Sequence, residues 1–162
     1  MYQDYLLTIA QISGALLGFV GVVLALGRRS EGVLNKRDES GLFHLIYTST
    51  GALFFSLLMY VLLISFEQQD IIWRVGSAIF ALYATYGPVK AMLEGRKGEN
   101  RLDSLFRRLL EVLSFVLVFF NVLVVFNIII TYAPLVYMLS LIFLFAVSIS
   151  YFIPLVYFKT RE

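Results

Sequence analysis

The run YLLTIAQISGALLGFVGVVLAL, from Tyr5 to Leu26, carries no charged residue. As a helix it is about 33 Å long, enough to cross the roughly 30 Å hydrocarbon layer of a bilayer, and it predicts a membrane helix. Ala10, Gly14, Gly18, Gly21 and Ala25 recur along it at spacings of four, four, three and four. They therefore share one face and leave the backbone bare there. In lipid, helices associate through van der Waals contact and hydrogen bonds, and small-residue faces allow the densest contact. Gln11 and Ser13 flank the stripe, each able to hydrogen-bond a partner helix. Two coverings for this face stay open: the chain's own helices, or further copies of the chain.

Composition agrees. Of 162 residues 60% are hydrophobic, with a mean hydropathy of +0.85, against an apolar share of about 45 to 50% in soluble domains. The length holds spans and short connections, so a single transmembrane domain over residues 1–162 is expected. With no cysteine, a disulfide frame, a thiol nucleophile and a thiolate metal site are excluded. MYQDY lacks the basic stretch of a secretory signal, and no small-residue cleavage site precedes Arg28 and Arg29, so the first helix is expected to be retained.

The expected fold is all-α, a polytopic membrane protein with five spans near residues 5–26, 42–66, 71–93, 109–131 and 135–158. Asn35 is placed to cap the second helix, with Asp38 and Glu39 in its first turn where the helix dipole favours them. That helix runs from Lys36 to about Phe66, longer than the membrane is thick. EQQD, residues 67–70, makes a tight connection. Pro88 should bend the third helix, because proline removes a backbone donor and clashes with the preceding turn. Asn100 can cap the fourth helix, whose Leu102, Leu105, Phe106 and Leu109 share a face. TYAP then reverses the chain, with Pro134 at the first position of the fifth helix, where its missing donor costs nothing, and Pro154 bends that helix near its end.

Basic residues orient the spans. Arg28, Arg29, Lys36 and Arg37 lie in the first connection, Lys90, Arg96, Lys97, Arg101, Arg107 and Arg108 in the third, and Lys159 and Arg161 in the tail. By the positive-inside rule these regions are cytoplasmic, which puts the N-terminus outside and the C-terminus inside. Arg74 alone falls on the outer side, within reach of Asp70 one turn earlier. Trp73, with Tyr2, Tyr5, Tyr60, Tyr132 and Tyr137, suits an aromatic belt at that interface.

Few groups bear chemistry. His44 is the only histidine, and one interfacial imidazole without a second histidine or a cysteine does not make a metal site. The carboxylates and the histidine map to span ends, so no nucleophile and base meet at mid-membrane depth, and an enzyme is not expected. No cofactor is implied: Gly14, Gly18 and Gly21 sit inside an apolar span, with no strand before them to make a phosphate loop.

Polar groups inside the spans are the remaining candidates. Thr48, Ser49, Thr50 and Ser56 fall in the second helix, Ser77 and Thr85 in the third, and Ser140, Ser148 and Tyr151 in the fifth. Glu111, Ser114 and Asn121 share a face of the fourth, with Asn127 nearly opposite. Gln11, Thr48, Ser114 and Asn121 could line a polar path, Asn121 near the midplane, or could serve as packing contacts. Asp4, Glu67 and Asp70 on the outer side could concentrate cations at a vestibule. Arg28, Arg29, Arg96, Lys97, Arg107 and Arg108 would bind anionic lipid headgroups, each contributing about 1 kcal/mol. Acidic residues interspersed among them argue against a nucleic-acid partner.

The segment IAQISGALLGFVGVVLALGRR, with GALFFSLL in the next span, resembles a group of small bacterial inner-membrane proteins with a Gly-rich first helix. The likeness covers the first two spans. It implies a multi-pass protein of the bacterial plasma membrane and assigns no activity. Fluoride-channel and potassium-filter signatures are absent. Two functions are expected on these grounds: a homo-oligomeric channel or permeabilising pore, or a non-conducting subunit that anchors another membrane or cytoplasmic protein. The orientation is checked with single-cysteine variants in this cysteine-free chain: Asn35→Cys and Gln68→Cys label from opposite sides of the membrane, and labelling from one side refutes it.

Overall fold

The computed structural model describes the backbone of residues 2–31, 36–94 and 101–157, with side chains over 2–22, 41–89, 105 and 108–153. Asn35 and Asn100, the expected caps, lie outside the described residues. Every regular element described is helical: α1 (Tyr2–Glu31), α2 (Lys36–Ser65), α3 (Gln69–Glu94), α4 (Arg101–Val125) and α5 (Ala133–Tyr157), with a 3-10 turn at Ile130–Tyr132 before α5.

Among the described residues, four stretches are long and apolar enough to cross a membrane: Tyr2–Val22, Gly41–Ser65, Arg108–Val125 and Ile130–Ile153. The 26 residues of α3 are long enough, but Asp70, Arg74, Ser77 and Thr85 dilute their apolar content. The outward surfaces stay oily. Phe54 is 54% exposed, Val61 55%, Ile64 57% and Leu82 76%, exposure on a scale that water would penalise and hydrocarbon does not.

The chain divides into two compact units, Met1–Tyr60 with Leu141–Glu162, and Val61–Ser140. In the first, Leu6, Ala10, Leu45, Ala52, Phe55, Met59, Leu141 and Leu144 form the apolar core. Phe19 meets Phe152 edge-on with ring centroids 5.2 Å apart, and His44 stacks on Tyr151 at 5.1 Å. In the second unit Tyr137 is wholly buried, with Trp73 and Phe80 packed edge-on against its ring at 5.8 and 5.6 Å. Trp73 and Tyr137 are therefore core residues rather than members of an aromatic belt. Tyr2, Tyr5 and Tyr132 stay exposed, as a belt requires.

The fourth helix stops earlier than its apolar sequence predicts, at Val125 and not near residue 131. Asn127 adopts a left-handed backbone with φ of 64°. Its N–H bonds to the Val124 carbonyl at 2.9 Å, and the Ile128 N–H reaches back to Leu123 at 3.0 Å. These two bonds make a Schellman motif, with Asn127 at the position that glycine usually fills and asparagine tolerates. Pro134 is the second residue of α5 rather than its first, still within the turn whose donors have no helical partner.

This turn generates a prediction. Asn127→Val places a β-branched residue in the left-handed region and costs about 1–2 kcal/mol, whereas Asn127→Gly is neutral or better. Reversible unfolding in mixed micelles reads the difference.

Candidate functional site

Several polar residues inside the helices are joined in four contacts, two of which answer a local backbone need. In the first unit Thr48 of α2 and Ser148 of α5 face each other with their hydroxyl oxygens 2.7 Å apart. Thr48 also lies 2.8 Å from the His44 carbonyl, and Ser148 lies 2.9 Å from that of Leu144. With a longer approach of Thr48 to the Leu45 carbonyl at 3.4 Å, two hydroxyl hydrogens serve four contacts, so at any instant one group donates across the interface and the other back to its own helix. A threonine or serine within a helix can return its hydrogen to the carbonyl four residues earlier, as Thr48 and Ser148 do. Crossing to a neighbour adds a weak clamp, about 0.6 kcal/mol on average between membrane helices.

In the second unit, Pro88 lies inside α3. Having no N–H, it cannot serve the carbonyl four residues earlier, that of Ala84. Ser114 of α4 donates to this carbonyl at 3.4 Å. The serine that the sequence offers for a polar path thus supplies the bond that the proline withholds.

At the far end of the same helix pair, Arg74 Nε donates to the Val125 carbonyl at 3.0 Å. This replaces the expected pairing of Arg74 with Asp70. The last carbonyls of a helix lack partners and carry the negative end of its dipole, which makes the end of α4 a good seat for a guanidinium.

Asn121 is completely buried. Its amide nitrogen donates to the Leu117 carbonyl and to Ser140 Oγ, both at 2.8 Å, and Ser140 passes its own hydrogen to the Val136 carbonyl at 2.8 Å. Because α4 ends at Val125, Asn121 stands one turn, about 6 Å, from the helix end. Glu111 is also largely buried.

The remaining candidates are dispersed. On α1, Ala10 is buried, and a Cβ built on Gly14 would lie 3.7 Å from Leu53 Cδ1, so this end of the small-residue stripe is covered within the chain. A Cβ on Gly18 or Gly21 would meet nothing within 4 Å. Gln11 is exposed on this open side, while Ser13 is buried. The side chain of Ala25 lies outside the described residues.

Asp4 belongs to the first unit, Glu67 and Asp70 to the second, and all three are exposed. Arg108 is exposed. The side chains of Arg28, Arg29 and Arg107 lie outside the described residues, as do Arg96 and Lys97 altogether. Among the described residues no group of three or more His, Cys, Asp or Glu side chains could hold a metal ion.

The link between Pro88 and Ser114 is open to a double-mutant cycle. Ser114→Ala alone costs about 0.5 to 1 kcal/mol. Pro88→Ala restores the donor to the Ala84 carbonyl, and in that background the serine change is nearly neutral, as unfolding in mixed micelles shows. No known family model matches this chain, and neither a curated protein nor a solved structure matches it.

Proposed function

We propose that this chain is a multi-pass membrane protein that assembles as a homo-oligomer through the open side of α1, the assembly enclosing a pore for ions or small solutes. The observation that carries the proposal is the exposure of Gln11 beside Gly18 and Gly21, whose missing side chains leave room for a neighbouring backbone. At 100° per residue, Gln11, Ala15, Gly18 and Val22 lie within about 60° of one another, so the open side is one continuous strip. An exposed carboxamide about 9 Å along an apolar helix from Tyr5 calls for a polar partner or water. A second copy, or an aqueous lumen among several copies, supplies either. Within one chain Thr48, Ser114 and Asn121 have partners already, so a conduit runs between copies and not through one of them.

The wider setting is part of the same proposal. The third helix is the fifth crossing, its charged end held at the outer surface where Arg74 closes α4. The N-terminus is then outside and the C-terminal tail cytoplasmic, with the basic connections against anionic headgroups. The resemblance of the first two spans favours the bacterial plasma membrane. The consumption of interior polar groups in packing favours a second reading, a non-conducting subunit that offers the strip to another membrane protein.

Purified protein reconstituted in liposomes separates these. The pore reading expects ion flux and a multimeric mass in mild detergent, with Gln11→Leu lowering flux about ten-fold or more. Gly18→Ile with Gly21→Ile should dissociate the multimer. A monomeric mass with no flux under any gating condition rejects it, and a stoichiometric foreign subunit in native membranes selects the second reading.

A further inference from the structure

We infer that Ser77 and Asn121 hold one water molecule between α3 and α4. Both residues are completely buried, and neither Ser77 Oγ nor Asn121 Oδ1 has a hydrogen-bond partner in the chain. The orientation of the carboxamide is fixed by chemistry. Its nitrogen faces the Leu117 carbonyl, which only accepts, and Ser140 Oγ, whose hydrogen is given to Val136. Both amide hydrogens are spent, so the free end of Asn121 is the oxygen, an acceptor.

The register of the two helices places Ser77 opposite that acceptor. Ser114 meets Ala84 across the α3 and α4 pair. Seven residues onward along α4 is Asn121, and seven residues back along the antiparallel α3 is Ser77. Seven residues are nearly two full turns, so both stay on the facing sides of their helices. The next contact along, Arg74 with Val125, falls within one residue of the same register. A buried hydroxyl able to donate and a buried carbonyl oxygen able to accept thus stand at one level without bonding each other.

Left unserved, each would lose its hydration with no hydrogen bond to offset the loss. A water molecule accepts from Ser77 and donates to Asn121, serving both at once. A cation is the poorer guest: the atoms brought together are neutral, and Glu111, the nearest acid of α4 in sequence, is ten residues or about 15 Å along the helix. Trp73 and Phe80, one turn to either side of Ser77, pack on Tyr137, and all three are buried. The water is therefore flanked by buried rings along α3.

Water-edited solid-state NMR of protein labelled with nitrogen-15 asparagine, in bilayers, tests this without reference to conduction. The chain has four asparagines, and Asn121→Gln identifies the signal in question. Polarisation from water should reach the Asn121 carboxamide at a rate within about two-fold of that for exposed Asn127. Ser77→Val fills the seat and removes the hydroxyl, and should slow the transfer about five-fold or more. Should Ser77→Val not fold, Ser77→Ala removes one of the two anchors and should slow the transfer in the same direction. Negligible transfer in the wild-type protein overturns the inference, as does unchanged transfer in a folded Ser77 variant. Neither result bears on liposome flux, so the pore can fail while the water site stands, and the reverse.

Discussion

A polar side chain between apolar helices must find a hydrogen-bond partner in its own helix, in a neighbouring one or in water. This requirement organises the structure more than any apolar contact does. Lipid tails and leucine side chains are equally apolar, so burial alone gives little preference for one packing over another. The bonds from Thr48 to Ser148, from Ser114 to Ala84, from Arg74 to Val125 and from Asn121 to Ser140 are few and weak. Each nonetheless has one geometry, and together they fix which turns of neighbouring helices stand level.

Two of these bonds repair defects that the backbone itself creates. Pro88 leaves a carbonyl without its donor, and the end of α4 leaves several; Ser114 answers the first and Arg74 one of the second. A polar residue inside a span is commonly taken as a mark of transport. Ser114 has the narrower duty of keeping a proline-containing helix supplied with hydrogen bonds, and that duty is met wholly inside the second unit.

The course of the chain was legible wherever apolar runs met charged punctuation. The second helix runs from Lys36 to Ser65, close to the expected limits, because KRDES and EQQD bracket it. The end of α4 was not legible by hydropathy, since FNIII is as apolar as the helix before it. The stop lies in the backbone angle of Asn127, to which composition is blind. The partner of Ser114 was only half legible: proline names the orphaned carbonyl through the four-residue rule, but not the neighbour that will reach it. The glycine stripe of α1 reads as one surface in sequence and is two in space, covered at Gly14 and open at Gly18 and Gly21. Periodicity gives the face of a helix, not the length over which a neighbour follows it.

The bond from Arg74 to the last carbonyl of α4 also bears on how the protein is made. With α3 as the fifth crossing, as proposed, it is alone a poor candidate for transfer from the ribosome-bound translocon into oil, because its guanidinium and carboxylate oppose release. Once α4 has emerged, its C-terminal end offers the guanidinium a seat. A nascent chain of this design would hold α3 back at the insertion machinery and release both helices together as a hairpin, so that biogenesis waits on the synthesis of Val125.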